Sequence, residues 1–71
     1  MTIFEIEGGF IELYKLLKAE GLCESGAAAK AAVKSGSVLV DGKAETRKGR
    51  KLFPGAVVEF AGEKIEIRNK D

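Results

Sequence analysis

The chain has 71 residues, 32% of them charged, and a formal net charge of +1 at pH 7. That length holds one small domain around one core. Histidine is absent and Cys23 is the single cysteine, which excludes an intramolecular disulfide, a cysteine-based zinc cluster and histidine general-base catalysis.

In chain order, Thr2 to Glu7 carries Ile3, Phe4 and Ile6 among acidic residues. This pattern predicts a short edge strand or an ordered lead-in over residues 1–9, closed by Gly8-Gly9. From residue 10 the period changes. Phe10, Leu13, Tyr14 and Leu17 follow the i, i+3, i+4, i+7 template, with Leu16 widening the stripe, so a first amphipathic helix is expected from Phe10 to Glu20. Gly21 ends it as a C′ glycine would. A second helix opens at Ser25, whose hydroxyl suits an N-cap. It runs through the alanine-rich stretch to Lys34 and stops at Gly36.

After Gly36 the pattern turns to strands. Ser37 to Val40 and Lys43 to Thr46 flank Asp41-Gly42, a strong two-residue hairpin signal. Arg47 to Lys51 is a basic connection, Leu52-Phe53 is apolar and Pro54-Gly55 marks a turn. Val57 to Phe60 and Lys64 to Arg68 form a last hairpin around Ala61-Gly62. The class is α+β: a helix pair covering one face of a small antiparallel sheet. Twenty Ile, Leu, Val and Phe residues suffice for an ordered core.

The charge is unevenly distributed. Lys30 to Lys51 holds Lys30, Lys34, Lys43, Arg47, Lys48, Arg50 and Lys51 against Asp41 and Glu45, a net +5, while the remainder is net −4. A basic segment in an acidic chain makes a local field that attracts a polyanion. Lys30 and Lys34 are four apart and so share a helix face, at a cost of a few tenths of a kcal/mol in mutual repulsion. Ser25-Gly26-Ala27-Ala28 has no carboxylate in the first turn, which leaves backbone N–H groups open to an anion. Arg47-Lys48-Gly49-Arg50-Lys51 places four cations in five positions, with Gly49 expected to supply flexibility or a left-handed turn. Such a run suits phosphates, onto which arginine forks two N–H groups. Tyr14 and Phe53 fall on the apolar pattern and are expected in the core, with base stacking as their alternative role.

The same residues resemble the S-four RNA-binding domain, or alpha-L motif, and within it the short stand-alone bacterial versions. The likeness spans about Ile11 to Ile67. Leu13, Leu16, Leu17 and Lys18 fit its L-x-x-L-L-K first helix, and Ser25 to Lys30 fit S-G-x-x-A-K. Gly36 to Gly42 fit G-x-V-x-V-N-G, and Glu45 to Leu52 fit E-x-R-x-G-R-K-L, the most specific element. Two positions depart. Gly26 stands where larger members carry arginine, which moves weight to the 47–51 loop. Gly55-Ala56 replaces a Gly-Asp pair, which bears on turn stability rather than on binding.

The resemblance implies one domain over residues 10–71, a two-helix alpha-L motif packed on an antiparallel sheet with β-hairpins. It implies a structured RNA partner, ribosomal or transfer RNA, and a possible association with the ribosome. The expected RNA-binding residues are Lys18, Ser25, Gly26, Lys30, Lys34, Arg47, Lys48, Arg50 and Lys51. No metal, cofactor or catalytic residue is expected: Cys23 and Ser25 have no histidine to activate them, and Glu24 beside Cys23 would raise its pKa rather than lower it. No apolar stretch approaches the roughly 18 residues of a membrane span, and the acidic N-terminus does not read as a signal peptide. A cytoplasmic location is therefore expected, and, separately, a monomer. The alternative is an adaptor whose basic patch meets an acidic protein.

Overall fold

A computed structural model describes residues 1–70. The chain runs β1 (Thr2–Ile6), β2 (Ile11–Glu12), α1 (Leu13–Ala19), α2 (Gly26–Lys34), β3 (Leu39–Val40), β4 (Lys43–Ala44), β5 (Lys51–Leu52), β6 (Val57–Phe60) and β7 (Glu63–Asn69). Five strands form one sheet in the order β1-β7-β6-β3-β4, and β2 pairs with β5 in a second, two-stranded sheet. The α+β class stands, as do both hairpins.

The main sheet is antiparallel except at one edge, where β1 runs parallel to β7 with Phe4 opposite Ile67. The N-terminal segment is thus an edge strand, the first of the two expected readings. Parallel neighbours need a long connection, and here the helix pair and strands β2 to β6 lie between them. The expected domain end, Asp71, lies outside the described residues.

The first helix is shorter than the apolar stripe suggested. It spans Leu13–Ala19. Ile11 and Glu12 instead pair with Leu52 and Lys51. Phe10 falls ahead of this pairing and is 40% exposed. Leu13, Leu16 and Leu17 are fully buried, on the i, i+3, i+4 face of α1.

α2 begins and ends as its sequence dictates. The Ser25 hydroxyl accepts from the Ala28 N–H at 3.1 Å, a cap worth about 1 kcal/mol. Both helices close with the paired hydrogen bonds of a Schellman motif. In α1 the Leu22 N–H reaches the Leu17 carbonyl and the Gly21 N–H reaches that of Lys18. Gly36 holds the equivalent left-handed position after α2, at φ 80°. Ala29 and Val33 bury the inner face of α2.

On the sheet, strand alternation sends Ile6, Val40, Val58, Ile65 and Ile67 inward. Val58 lies opposite both Val40 and Ile65, forming one apolar row. These side chains and the buried faces of both helices make one core cluster, with Leu52 and Cys23. Asp41 and Gly42 both take positive φ, 51° and 84°, as the two-residue turn requires. The Asp41 Oδ1 also accepts from the Val57 N–H at 3.0 Å, which ties this hairpin to β6.

Candidate nucleic-acid interface

α2 presents Gly26, Lys30 and Lys34 at i, i+4 and i+8, so they form one ridge along the helix. Both lysines are exposed. Lys34 lies in the last turn, where a cation meets the negative end of the helix dipole. No acidic residue occupies the first turn. Ser25 caps that turn, so its hydroxyl is committed to the helix rather than free.

The 45–51 segment is organised by one buried carboxylate. Glu45 is only 7% exposed. Its Oε2 accepts from the Arg47 backbone N–H at 2.9 Å and from Arg47 Nε at 3.0 Å. Its Oε1 accepts from Arg47 Nη2 at 3.1 Å and from Arg50 Nη1 at 2.7 Å. These guanidiniums hold the Glu45 carboxyl well below the usual carboxylate range, Arg47 contributing most, while Arg47 itself is pushed up by the same bond. Two arginines share one carboxylate, so one positive charge of the trio stays uncompensated. The sequence places Glu45 at the head of the E-x-R-x-G-R-K-L element and otherwise counts it as a subtraction from the patch. Its role as the loop's anchor was missed, although its spacing to Arg47 and Arg50 was on display.

That anchoring qualifies the expectation that all the loop cations are free for phosphate. Arg47 and Arg50 first build the loop. Arg47 remains mostly exposed, its side chain at 73%, whereas that of Arg50 is at 37%. Among the described residues, Lys18, Lys30, Lys34, Lys48 and Lys51 have no carboxylate ion-pair partner. Gly49 also departs from one of its two expected roles, the left-handed turn. It is not in the left-handed region. A side chain there would meet the Glu12 carboxylate, with Oε2 3.4 Å from an ideal Cβ.

The loop is docked onto α1 by its own backbone. Residue 12 precedes α1 without a side-chain cap. The orphan N–H groups of Leu13 and Tyr14 instead donate to the Arg50 and Lys48 carbonyls at 2.9 and 3.1 Å. The arrangement satisfies the helix start and fixes the cationic loop beside α1. The β2–β5 pairing reinforces it. The Arg50 N–H closes a turn onto the Arg47 carbonyl at 3.2 Å, which lifts Lys48 and Gly49 outward.

Helix ridge and loop therefore meet. Lys30, Ala31 and Lys34 from α2 and residues 46–49 line one groove of about 520 Å³. A second hollow of about 550 Å³ adjoins it through Arg47 and Gly49 and continues to Arg50, Lys51 and Phe53. Lys18 lies one turn beyond Tyr14 on α1 and outside the lining of both.

The expectation that both aromatic residues lie in the core holds for one of them. Tyr14 packs against the core, and Lys30 Nζ sits 4.9 Å from its ring centroid. Phe53 is not a core residue: it is 55% exposed. Its ring lies 5.9 Å from that of Phe10, tilted by 53°. Cys23 is buried, and burial pushes its thiol pKa up, away from nucleophilic use.

A helix pair with a docked cationic loop on a small sheet is the arrangement of the alpha-L motif, and the S4 domain family matches residues 4–68. The chain belongs to that family. Over 57 residues it is 51% identical to YbcJ of Escherichia coli (strain K12), the match covering 80% of this chain and 81% of that one. YbcJ of Shigella flexneri matches to the same extent. The solution structure of E. coli YbcJ, described as revealing an alpha-L motif involved in RNA-binding, gives a TM-score of 0.73 at 45% identity. It covers 96% of this chain and 87% of that one.

Proposed function

We propose that this protein is a non-catalytic RNA-binding module that holds structured RNA, ribosomal or transfer RNA, by its phosphates. The observation that carries the proposal is the shared groove: lysines of α2 and of the 46–49 turn, without carboxylate partners among the described residues, face one space. Lys30, Lys34, Lys48 and Lys51 are the primary phosphate contacts. Arg47 and Arg50 add a charge-assisted edge beyond their bonds to Glu45. Lys18 flanks the face along α1, and the N–H groups at Ser25 and Gly26 supply neutral donors at its far end. Recognition of a folded RNA on such a surface rests on shape and 2′-OH contacts more than on base edges. Family membership and the description of the YbcJ structure support the same reading. A cytoplasmic monomer, acting alone or with the ribosome, fits this role.

The test is the salt dependence of binding to a folded RNA fragment. Counterion release contributes a slope of about 0.7–0.9 per phosphate contact in log K against log salt. Four lysine contacts predict a slope of about −3. A slope near zero contradicts the proposal. So does recovery from cells, after ribonuclease treatment, of one acidic protein with no RNA-dependent material.

A further inference from the structure

Phe53 and Phe10 carry no load in the core, yet they are held together. Phe53 follows the buried Leu52 of β5, and Phe10 precedes the partner strand β2, so the strand pairing brings the two rings to one place. The rings meet at a tilt, 5.9 Å between centroids, a favoured aromatic geometry. Lys51 Nζ lies 5.0 Å from the Phe10 centroid, a cation–π contact that steadies the pair and keeps a positive charge beside it. Exposed aromatic surface is costly to leave in water, and large exposed apolar groups rimmed by polar ones mark contact sites. What rims this one is cationic. Phe53 closes the hollow of about 550 Å³ that also presents Arg47, Arg50 and Lys51. It also lines the adjoining hollow of about 380 Å³ toward Pro54. An aromatic face ringed by cations matches a nucleobase attached to its phosphate. A paired base is already stacked and leaves no free face, so the base must be unpaired.

We infer that Phe53, supported by Phe10, is a stacking platform for one unpaired base of the bound RNA. This rests on the RNA-binding function proposed above and narrows it. The RNA carries a bulge, loop or single-stranded end next to the helical segment whose phosphates lie on Lys30, Lys34 and Lys48.

The experiment compares two RNA hairpins of the same stem, one with a single-nucleotide bulge carrying 2-aminopurine and one without the bulge. Wild-type protein is expected to bind the bulged hairpin more tightly and to quench the probe. Phe53→Ala is expected to weaken binding to the bulged hairpin by about 5- to 150-fold, the range of one base–aromatic stack. It is expected to leave the perfect stem almost unaffected. Phe53→Trp restores both affinity and quenching. The exposure of Phe53 keeps these variants folded. Equal affinity of wild type and Phe53→Ala for the bulged hairpin overturns the inference and gives the aromatic pair to another class of partner. An equal loss on both hairpins overturns it too, as a loss of structure rather than of stacking. Wild-type protein that binds neither hairpin overturns the RNA-binding proposal, and this inference with it.

Discussion

Replacing Lys30, Lys34, Lys48 and Lys51 together by alanine is expected to lower RNA affinity by about a hundredfold or more at 50 mM salt and to flatten the salt slope by about 3. Each lysine is exposed and free of carboxylate partners among the described residues, so each is available to displace one counterion. The fold is expected to survive. Exposed substitutions of this kind usually stay within about 0.5 kcal/mol. On α2 the change also removes the Lys30–Lys34 repulsion and adds a strong helix former at two positions. Lys64 is the control. It pairs with Glu59 and lines neither basic hollow, so Lys64→Ala is expected to change affinity several-fold at most. Isothermal titration at three salt concentrations, with thermal melts of each variant, reads both effects. A quadruple variant that melts normally and keeps the wild-type slope refutes the assignment of these lysines.

Glu45 governs the second large effect. Glu45→Ala strips the acceptor from four N–H groups of Arg47 and Arg50, and a stability loss of about 1–3 kcal/mol is expected. The figure stays below that for a fully buried pair because both arginines can turn to water. The pH dependence has a definite sign. In the unfolded chain Glu45 titrates near the ordinary value of about 4.3. In the fold it stays ionised below that, held by Arg47 and Arg50. The pair's contribution is therefore complete above about pH 4.3 and is lost as the pH falls below it, toward the depressed folded value. Glu45→Gln removes this component. Its urea-unfolding stability is expected to vary less with pH on the acid side than that of wild type. Glu66, lowered by Arg68, contributes the same small slope to both proteins.

Binding separates two accounts of Glu45. If only charge mattered, Glu45→Gln would tighten RNA binding by deleting a negative charge from the patch. If Glu45 frames the loop that carries Lys48 and Lys51, the same change weakens binding. The four short hydrogen bonds to Glu45 predict weakening. An unchanged pH profile together with tighter binding overturns the anchoring role.

What could be read from the sequence was whatever is local. The Ser25 cap, the alanine-rich run, the glycines after each helix and the Asp41-Gly42 turn each act over a few residues, and each lies where the pattern placed it. What escaped depends on partners far along the chain. Ile11 and Glu12 fall between Phe10 and Leu13 of a helical stripe, and only Lys51 and Leu52, about forty residues on, draw them into a strand. A two-residue strand has no period to detect. β1 was legible as extended, but its parallel seat beside β7 was not.

In the candidate site the cationic run was legible as charge, while its division of labour was not. The lysines face solvent. The arginines are shared with a carboxylate that chain counting treats as a mere offset. Phe53 follows an apolar pattern and so reads as core. It is on the surface because strand alternation sends Leu52 inward and its neighbour outward.

The most direct measurement is an amide chemical-shift map of the 71-residue protein titrated with a folded RNA fragment. A face built jointly by the alanine-rich helix and the Glu45-anchored loop predicts that the shifted amides cluster at residues 26–34 and 46–53, with β1 and β7 unmoved. Shifts centred on the β1–β7 edge, or confined to either the helix or the loop alone, would contradict it.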